Sequence, residues 1–141
     1  MKKRISDKIK DIRIYLRQLM DIKLDNFKRY INDFKTKAAC ERYFEKIAEA
    51  VSDLAVLVIK EKGLPVPDED NEYFEVLKKE YFISFDLAKK LKEMKGMRNI
   101  IAHQYGSIDD KLVYMAISEE LNEDIKEFIK IIDELSKNGN K

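Results

Sequence analysis

The sequence predicts an all-α fold: an antiparallel up-and-down bundle of four long helices with one or two short ones. Three observations predict it. Apolar residues recur at helical spacing on four separate segments. Turn signals fall between those segments. No stretch alternates with period two for long enough to make a strand.

The first stripe is Ile5, Ile9, Ile12, Leu16 and Leu19, and the second is Cys40, Phe44, Ile47, Val51, Leu54 and Val58. The third is Leu87, Leu91 and Met94, continuing through Arg98, Ile101 and Tyr105. The fourth is Leu121, Ile125, Phe128, Ile132 and Leu135. Each advances in steps of three and four, so its members share one face of a helix. The Gly63-Leu64-Pro65-Val66-Pro67-Asp68 run ends the second long helix, with Gly as the C-terminal cap and Pro as the stop. Gly106-Ser107-Ile108-Asp109-Asp110 separates the third helix from the fourth, and the acidic pair suits the N-terminus of the latter. Shorter helices are expected over Asp25–Ile31 and Asn71–Lys79, with Asp68-Glu69-Asp70 as loop and N-cap. With no repeat, low-complexity stretch or linker, residues 1–141 read as a single domain with a frayed tail over about 137–141.

A chain of 141 residues with 45% hydrophobic and 39% charged residues has enough apolar matter for a core under a charged surface. Disorder would need low hydrophobicity with high net charge. The net charge is +1, from 28 basic and 27 acidic residues, so no global field attracts nucleic acid. Any attraction for RNA must be local. The single cysteine, Cys40, excludes an intramolecular disulfide and a cysteine metal cluster, and its place in an apolar stripe makes it a core residue. Neither a secretory signal nor a membrane span is legible, and the longest apolar run, Leu54 to Ile59, is far too short to cross a bilayer. The expectation is a soluble cytoplasmic protein.

The chemistry is concentrated in Met97-Arg98-Asn99-Ile100-Ile101-Ala102-His103-Gln104-Tyr105-Gly106, which holds the only histidine. With about 100° per residue, Arg98 and Tyr105 lie nearly over one another, while Asn99 and His103 share a neighbouring face and can hydrogen-bond. Arg98 interrupts an apolar stripe, where an unpaired guanidinium is costly, so this face should meet a cleft or a second subunit. The set suits phosphodiester cleavage without metal. His supplies a base near neutral pH, and Arg a fixed fork of donors for charge on phosphorus. Asn can orient either group, and Tyr can stack on a base. On the residues alone a blander reading stands beside this one, a surface or satisfied histidine and an arginine snorkelling to solvent.

The Arg98-x4-His103-x-Tyr105 pattern resembles the Arg-x4-His-x-Tyr signature of the HepT toxins in the HEPN superfamily. Glu41-Arg42-Tyr43-Phe44, followed by Glu49-Ala50-Val51-Ser52-Asp53-Leu54-Ala55, is similar to that family's second long helix. Gly63-Leu64-Pro65-Val66-Pro67 resembles the turn closing it. The likeness spans about residues 38 to 115. It implies a HEPN-like bundle that pairs as a homodimer with the Arg/His helices facing each other. It also implies a metal-independent endoribonuclease toxin with RNA as substrate and no cofactor. Arg98 and His103 match the ribonuclease residues, and Asn99 the polar residue that often follows the Arg. Tyr105 matches the tyrosine to which an MntA-like nucleotidyltransferase antitoxin transfers AMP. Arg98 and His103 lie about 140° apart on an ideal helix, so either two facing helices supply one composite site or the helix unwinds locally before Gly106.

Other charged groups read less specifically. Arg42 resembles a family position near the motif, but with Glu41, Glu45, Lys46 and Glu49 it equally makes a solvated face. Lys89, Lys90, Lys92 and Lys95 form either an RNA-phosphate rail or a solvated lysine face. Two further functions remain open: a non-catalytic helical partner that binds a small nucleotidyltransferase, and a dimeric bundle without activity.

Overall fold

The computed structural model describes residues 2–69, 72–103 and 109–138, and every regular element among them is helical. In chain order these are α1 (Lys2–Ile22), α2 (Phe27–Asn32), α3 (Phe34–Glu61), α4 (Tyr73–Lys79), α5 (Phe85–His103), α6 (Asp110–Met115) and α7 (Leu121–Asn138). A π-helical turn, Ala116–Glu120, joins the last two.

Contacts between the long helices fix their directions. Lys8 reaches Asp53 at 3.5 Å and the Lys46 ammonium lies 4.9 Å from the Tyr15 ring, so α1 and α3 run antiparallel. Glu49 pairs with Arg98, and Ser52 with Lys95 at 3.3 Å, so α3 and α5 do the same. Arg13 meets Asp133 at 3.4 Å, and Lys23 donates to the Ser118 carbonyl at 3.4 Å, which sets α1 against the last helical arm. The expected all-α antiparallel bundle is therefore what forms.

Helix α3 is its axis. The stripe from Cys40 to Val58 is buried as predicted, but so are Ala48, Ala50, Ser52, Ala55, Leu57 and Ile59. One face cannot hold all of these. They line most of the circumference because α1, α2, α4 and α5 all pack against this helix. The small residues let neighbouring backbones come close, and each fully buried large side chain is worth about 1.5–3 kcal/mol. Phe44, Phe74 and Phe128 are buried almost completely, and the last two meet edge to face at 6.1 Å between ring centres.

The boundaries follow capping chemistry. Asn26 accepts from the Arg29 amide at 2.8 Å, and Asp33 from the Thr36 amide at 3.0 Å. Asp109 accepts from the amides of Lys111 and Leu112, as the acidic pair predicted. Gly63 closes α3 at φ +71°, with the Leu64 amide donating to the Ile59 carbonyl at 3.0 Å. Helix α4 departs from expectation. It starts after Glu72 with no side-chain cap, and Asp70 lies outside the described residues. The fourth long helix begins earlier than its apolar stripe suggested. Val113, Ala116 and Ile117 are already buried, and the π-helical turn inserts the extra residue that lets Leu121 stay on their face. Among the described residues no helix is long and apolar enough to cross a membrane.

Candidate functional site

Helix α5 carries Arg98, Asn99 and His103. Its first turn is closed by Ser84, whose hydroxyl accepts from the Leu87 amide at 3.0 Å. Leu87, Ala88, Leu91, Met94 and Ile101 then bury one face of it. This packing fixes the azimuth of Arg98, between Met94 and Ile101 in sequence, so that it meets α3 rather than open water. The guanidinium is paired there. Nη2 bonds Glu49 of α3, Nη1 donates to Asn99 Oδ1 at 3.1 Å, and Nε is buried without a hydrogen-bond partner among the described residues. The cost of a cation in an apolar stripe is thus offset within one chain by a carboxylate.

Around this pair lies a shallow depression of about 220 Å³, lined by Glu49, Ser52, Asp53, Val56, Tyr73, Lys95 and Arg98. Lys95 is only 8% exposed and donates to the Ser52 hydroxyl at 3.3 Å. Two cations one helical turn apart on α5 therefore face two carboxylates of α3, of which Asp53 also holds Lys8 at 3.5 Å.

The remaining motif residues are placed differently. His103 is the last residue of α5 and is exposed. Asn99 is exposed and turned to Arg98, and no bond joins it to His103 among the described residues. The expected Asn99–His103 bond therefore does not form. The long Arg98 side chain reaches round the helix to the amide beside it. Tyr105 lies outside the described residues. Arg98 and His103 leave the helix on different sides, one against α3 and one at the helix end in water.

The lysine face does not form one rail. Lys89 and Lys90 are exposed, and Lys90 stands 3.7 Å from Asp124. Lys92 is drawn to Glu75 at 2.7 Å, and Lys95 is buried. Hydrogen bonds from Lys78 and then Lys92 hold the Glu75 carboxyl down at about 2. Arg42 is exposed and stands 3.6 Å from Glu45, whereas Glu41 bonds Lys37 at 2.8 Å. Lys37 also reaches Asp110 at 3.1 Å and so ties the start of α6 to α3. Cys40 is fully buried, and burial pushes its thiol up to about 11. Among the described residues no group of three His, Cys, Asp or Glu side chains is arranged to hold a metal ion.

Sequence reasoning missed Glu49 and Lys95 as parts of this site. The sequence offers Glu49 only as part of a solvated face around Arg42, and Lys95 as part of either an RNA-phosphate rail or a solvated face. The available signal was Ser52: a small polar residue within the buried run of α3 marks where a neighbouring polar group can enter.

Comparison with known proteins identifies the family and the fold. The model of the family described as "Ribonuclease HepT-like" matches residues 5–132. The mRNA nuclease HepT of Shewanella oneidensis is 26% identical over 128 residues, covering 91% of this chain and 95% of the relative. The tRNA nuclease HepT of Aphanizomenon flos-aquae is 28% identical over 109 residues, covering 77% of this chain and 72% of the relative. A solved structure of the tri-AMPylated Shewanella oneidensis HEPN toxin in complex with its MNT antitoxin superposes with a TM-score of 0.84 at 25% identity. That match covers 92% of this chain and 96% of the other. With an all-helical bundle and a family match over nearly the whole chain, the protein belongs to the HepT-like ribonuclease family.

Proposed function

We propose that this single HEPN-like domain, residues 1–141, is the endoribonuclease toxin of a toxin–antitoxin pair, acting without metal as a cytoplasmic homodimer. The observation that carries the reading is Arg98. A guanidinium planted in an apolar stripe, held by one half-exposed carboxylate and with N–H donors to spare, sits on the helix that ends in the only imidazole. Such a fork has little structural purpose and suits a phosphate.

In the proposed reaction His103 takes the proton from a ribose 2′-hydroxyl. The 2′-oxygen attacks phosphorus, and the bond to the 5′-oxygen breaks. That oxygen leaves with a proton from the imidazolium of the second copy, and a 2′,3′-cyclic phosphate remains. Arg98 meets the charge that builds on the non-bridging oxygens, and Asn99 steadies its guanidinium. Pairing of two α5 helices brings Arg98 of one copy toward His103 of the other. Exposed Ile100 on α5, with exposed Leu112 and Met115 on α6, supports such a face.

Regulation in this reading is AMP transfer to Tyr105 by a cognate MntA-like nucleotidyltransferase. The added phosphate would occupy the place of the RNA phosphate and bond Arg98. The solved relative, AMPylated and bound to its antitoxin, supports this.

The test is incubation of pure protein with RNA in EDTA, beside His103→Ala and Arg98→Ala. Cleavage by the parent alone is expected, leaving cyclic-phosphate ends. Mass spectrometry after co-expression with the nucleotidyltransferase should place the AMP adduct on Tyr105. No cleavage by the parent, with tight binding to the nucleotidyltransferase, would instead establish a non-catalytic partner subunit.

A further inference from the structure

We infer that single-stranded RNA reaches the site along one exposed stripe of α5, with Phe85 at its far end as the platform on which a base stacks. The inference rests on the ribonuclease reading above and adds how that site holds its substrate.

Phe85, Lys89, Lys92, Gly96, Asn99 and His103 follow one another in alternating steps of four and three. At about 100° per residue they form one line along the helix, and Phe85 and His103 stand on the same side about five turns, or about 27 Å, apart. Leu87, Leu91, Met94 and Ile101 bury another face of α5. The stripe itself is exposed, apart from Lys92, which is half-buried against Glu75 at 2.7 Å.

Its Phe85 end offers what a flexible RNA strand can use. Phe85 is 68% exposed, and the Lys78 ammonium lies 5.1 Å from its ring centre. A ring so placed stacks on any base, and a cation beside it can meet the adjoining phosphate. Next to the ring is a depression of about 320 Å³, where Lys78, Lys89 and Lys92 face Glu75 and Glu93. Three cations against two carboxylates favour one phosphate without creating a wide field. Glu75 holds Lys78 at 2.8 Å and Lys92 at 2.7 Å, which fixes both ammoniums and leaves each with further N–H donors.

Gly96 points to something outside the chain. It stands within α5, where glycine weakens a helix relative to alanine. A β-carbon there would meet nothing within 4 Å, so the protein's own packing does not demand a glycine. A strand passing close over the helix does, and Gly96 lies between the two lysines and His103, on the line such a strand follows. Pairing of two copies through exposed Ile100 engages the His103 end. It leaves Phe85, about 22 Å away along the helix, to receive RNA emerging from the composite site.

The experiment compares cleavage of a trinucleotide, too short to reach from His103 to Phe85, with that of an unstructured dodecanucleotide, both in EDTA. The parent should show the lower KM for the longer RNA. Phe85→Ala should raise that KM about fivefold to a hundredfold, the loss of one stacked base, with kcat and trinucleotide cleavage unchanged. Phe85→Trp should keep the parent KM. Lys89→Ala should lower the slope of log KM against log salt by about 0.7, one phosphate contact. Gly96→Gln should raise Tm by a few degrees and yet raise the KM for the longer RNA, a combination that a merely structural role would not give. Sizing chromatography of every variant accompanies the kinetics.

A Phe85→Ala variant with the parent's KM for the longer RNA overturns the inference and leaves the ribonuclease reading standing. So does a parent with one KM for both RNAs. A change of oligomeric state in Phe85→Ala or Gly96→Gln overturns it as well, because the stripe would then be a contact between copies. A parent that cleaves neither RNA removes the reading itself, and the path with it.

Discussion

Under the proposed function, replacing Arg98 by Ala should separate catalysis from folding, because the two expected magnitudes differ widely. The Arg98–Glu49 pair joins side chains that are 23% and 46% exposed. A partly exposed pair of this kind stabilises a fold by at most about 1 kcal/mol. For a domain of this size that lowers Tm by about 4 °C or less. Against a total stability of about 5–15 kcal/mol, the variant stays almost wholly folded at the assay temperature. Loss of one preorganised donor to a developing oxyanion, in contrast, costs about 10²–10³ in kcat. Arg98→Ala should therefore lose at least about a hundredfold in rate with a barely altered melt. Arg98→Lys should fall between, since a point charge keeps the attraction for phosphate but loses the fork. The assay is cleavage of an end-labelled RNA in EDTA, with circular dichroism melts of the same samples. A variant that keeps the parent rate refutes the catalytic role. One whose rate falls only in step with a Tm drop of about 10 °C or more refutes the separation.

Three further outcomes follow from the geometry. Tyr81 occupies the position after α4 at φ +62° with its side chain 94% exposed, a backbone state that suits glycine; Tyr81→Gly should raise Tm by a few degrees in a calorimetric scan. The Glu75 carboxyl is held at about 2, below its ordinary 4.5, so the stability it contributes is complete above about pH 4.5 and is lost as pH falls toward 2. The Tm gap between the parent and Glu75→Gln should accordingly shrink across that interval, and a constant gap would contradict the Lys78 and Lys92 bonds. Cys40, fully buried with its thiol pushed up to about 11, should react with a disulfide reagent at pH about 8 only as fast as the protein unfolds, and reaction within seconds under native conditions would place it at the surface.

The four stripes were legible because burying one face of a helix forces a local period, and nearly all the residues so identified are in the core. The Asp109 cap and the Gly63 turn were legible for the same reason, since each is set by residues adjacent in sequence. Arg98 could be recognised as an anomaly in its stripe, but its partner could not. Glu49 lies 49 positions away, and the pairing depends on the rotation of α5 against α3, which no local pattern encodes. Lys95 looks in sequence like the lysines near it, and its burial against the Ser52 hydroxyl depends on how α5 packs on α3. The π-helical turn left no trace, because steps of four before and after Leu121 look like ordinary helix spacing.

The pattern of pairing also bears on how a nearly neutral protein can handle a polyanion. Several lysines along the helices are engaged before any ligand arrives: Lys78 and Lys92 on Glu75, Lys37 on Glu41 and Asp110, Lys90 near Asp124. Such pairs leave little net field to gather phosphates along a duplex, where affinity depends on many released counterions. Arg98 is distinct from them in kind. Its partner is half in water, its own stem is packed, and its planar fork can bond a carboxylate and an anion at once. A site built this way gains little from long-range attraction and much from the fit of one phosphate and its neighbouring bases. Under the proposed function it should therefore favour unpaired, splayed RNA over the uniform backbone of a helix, and equal cleavage of a hairpin's stem and loop would contradict this.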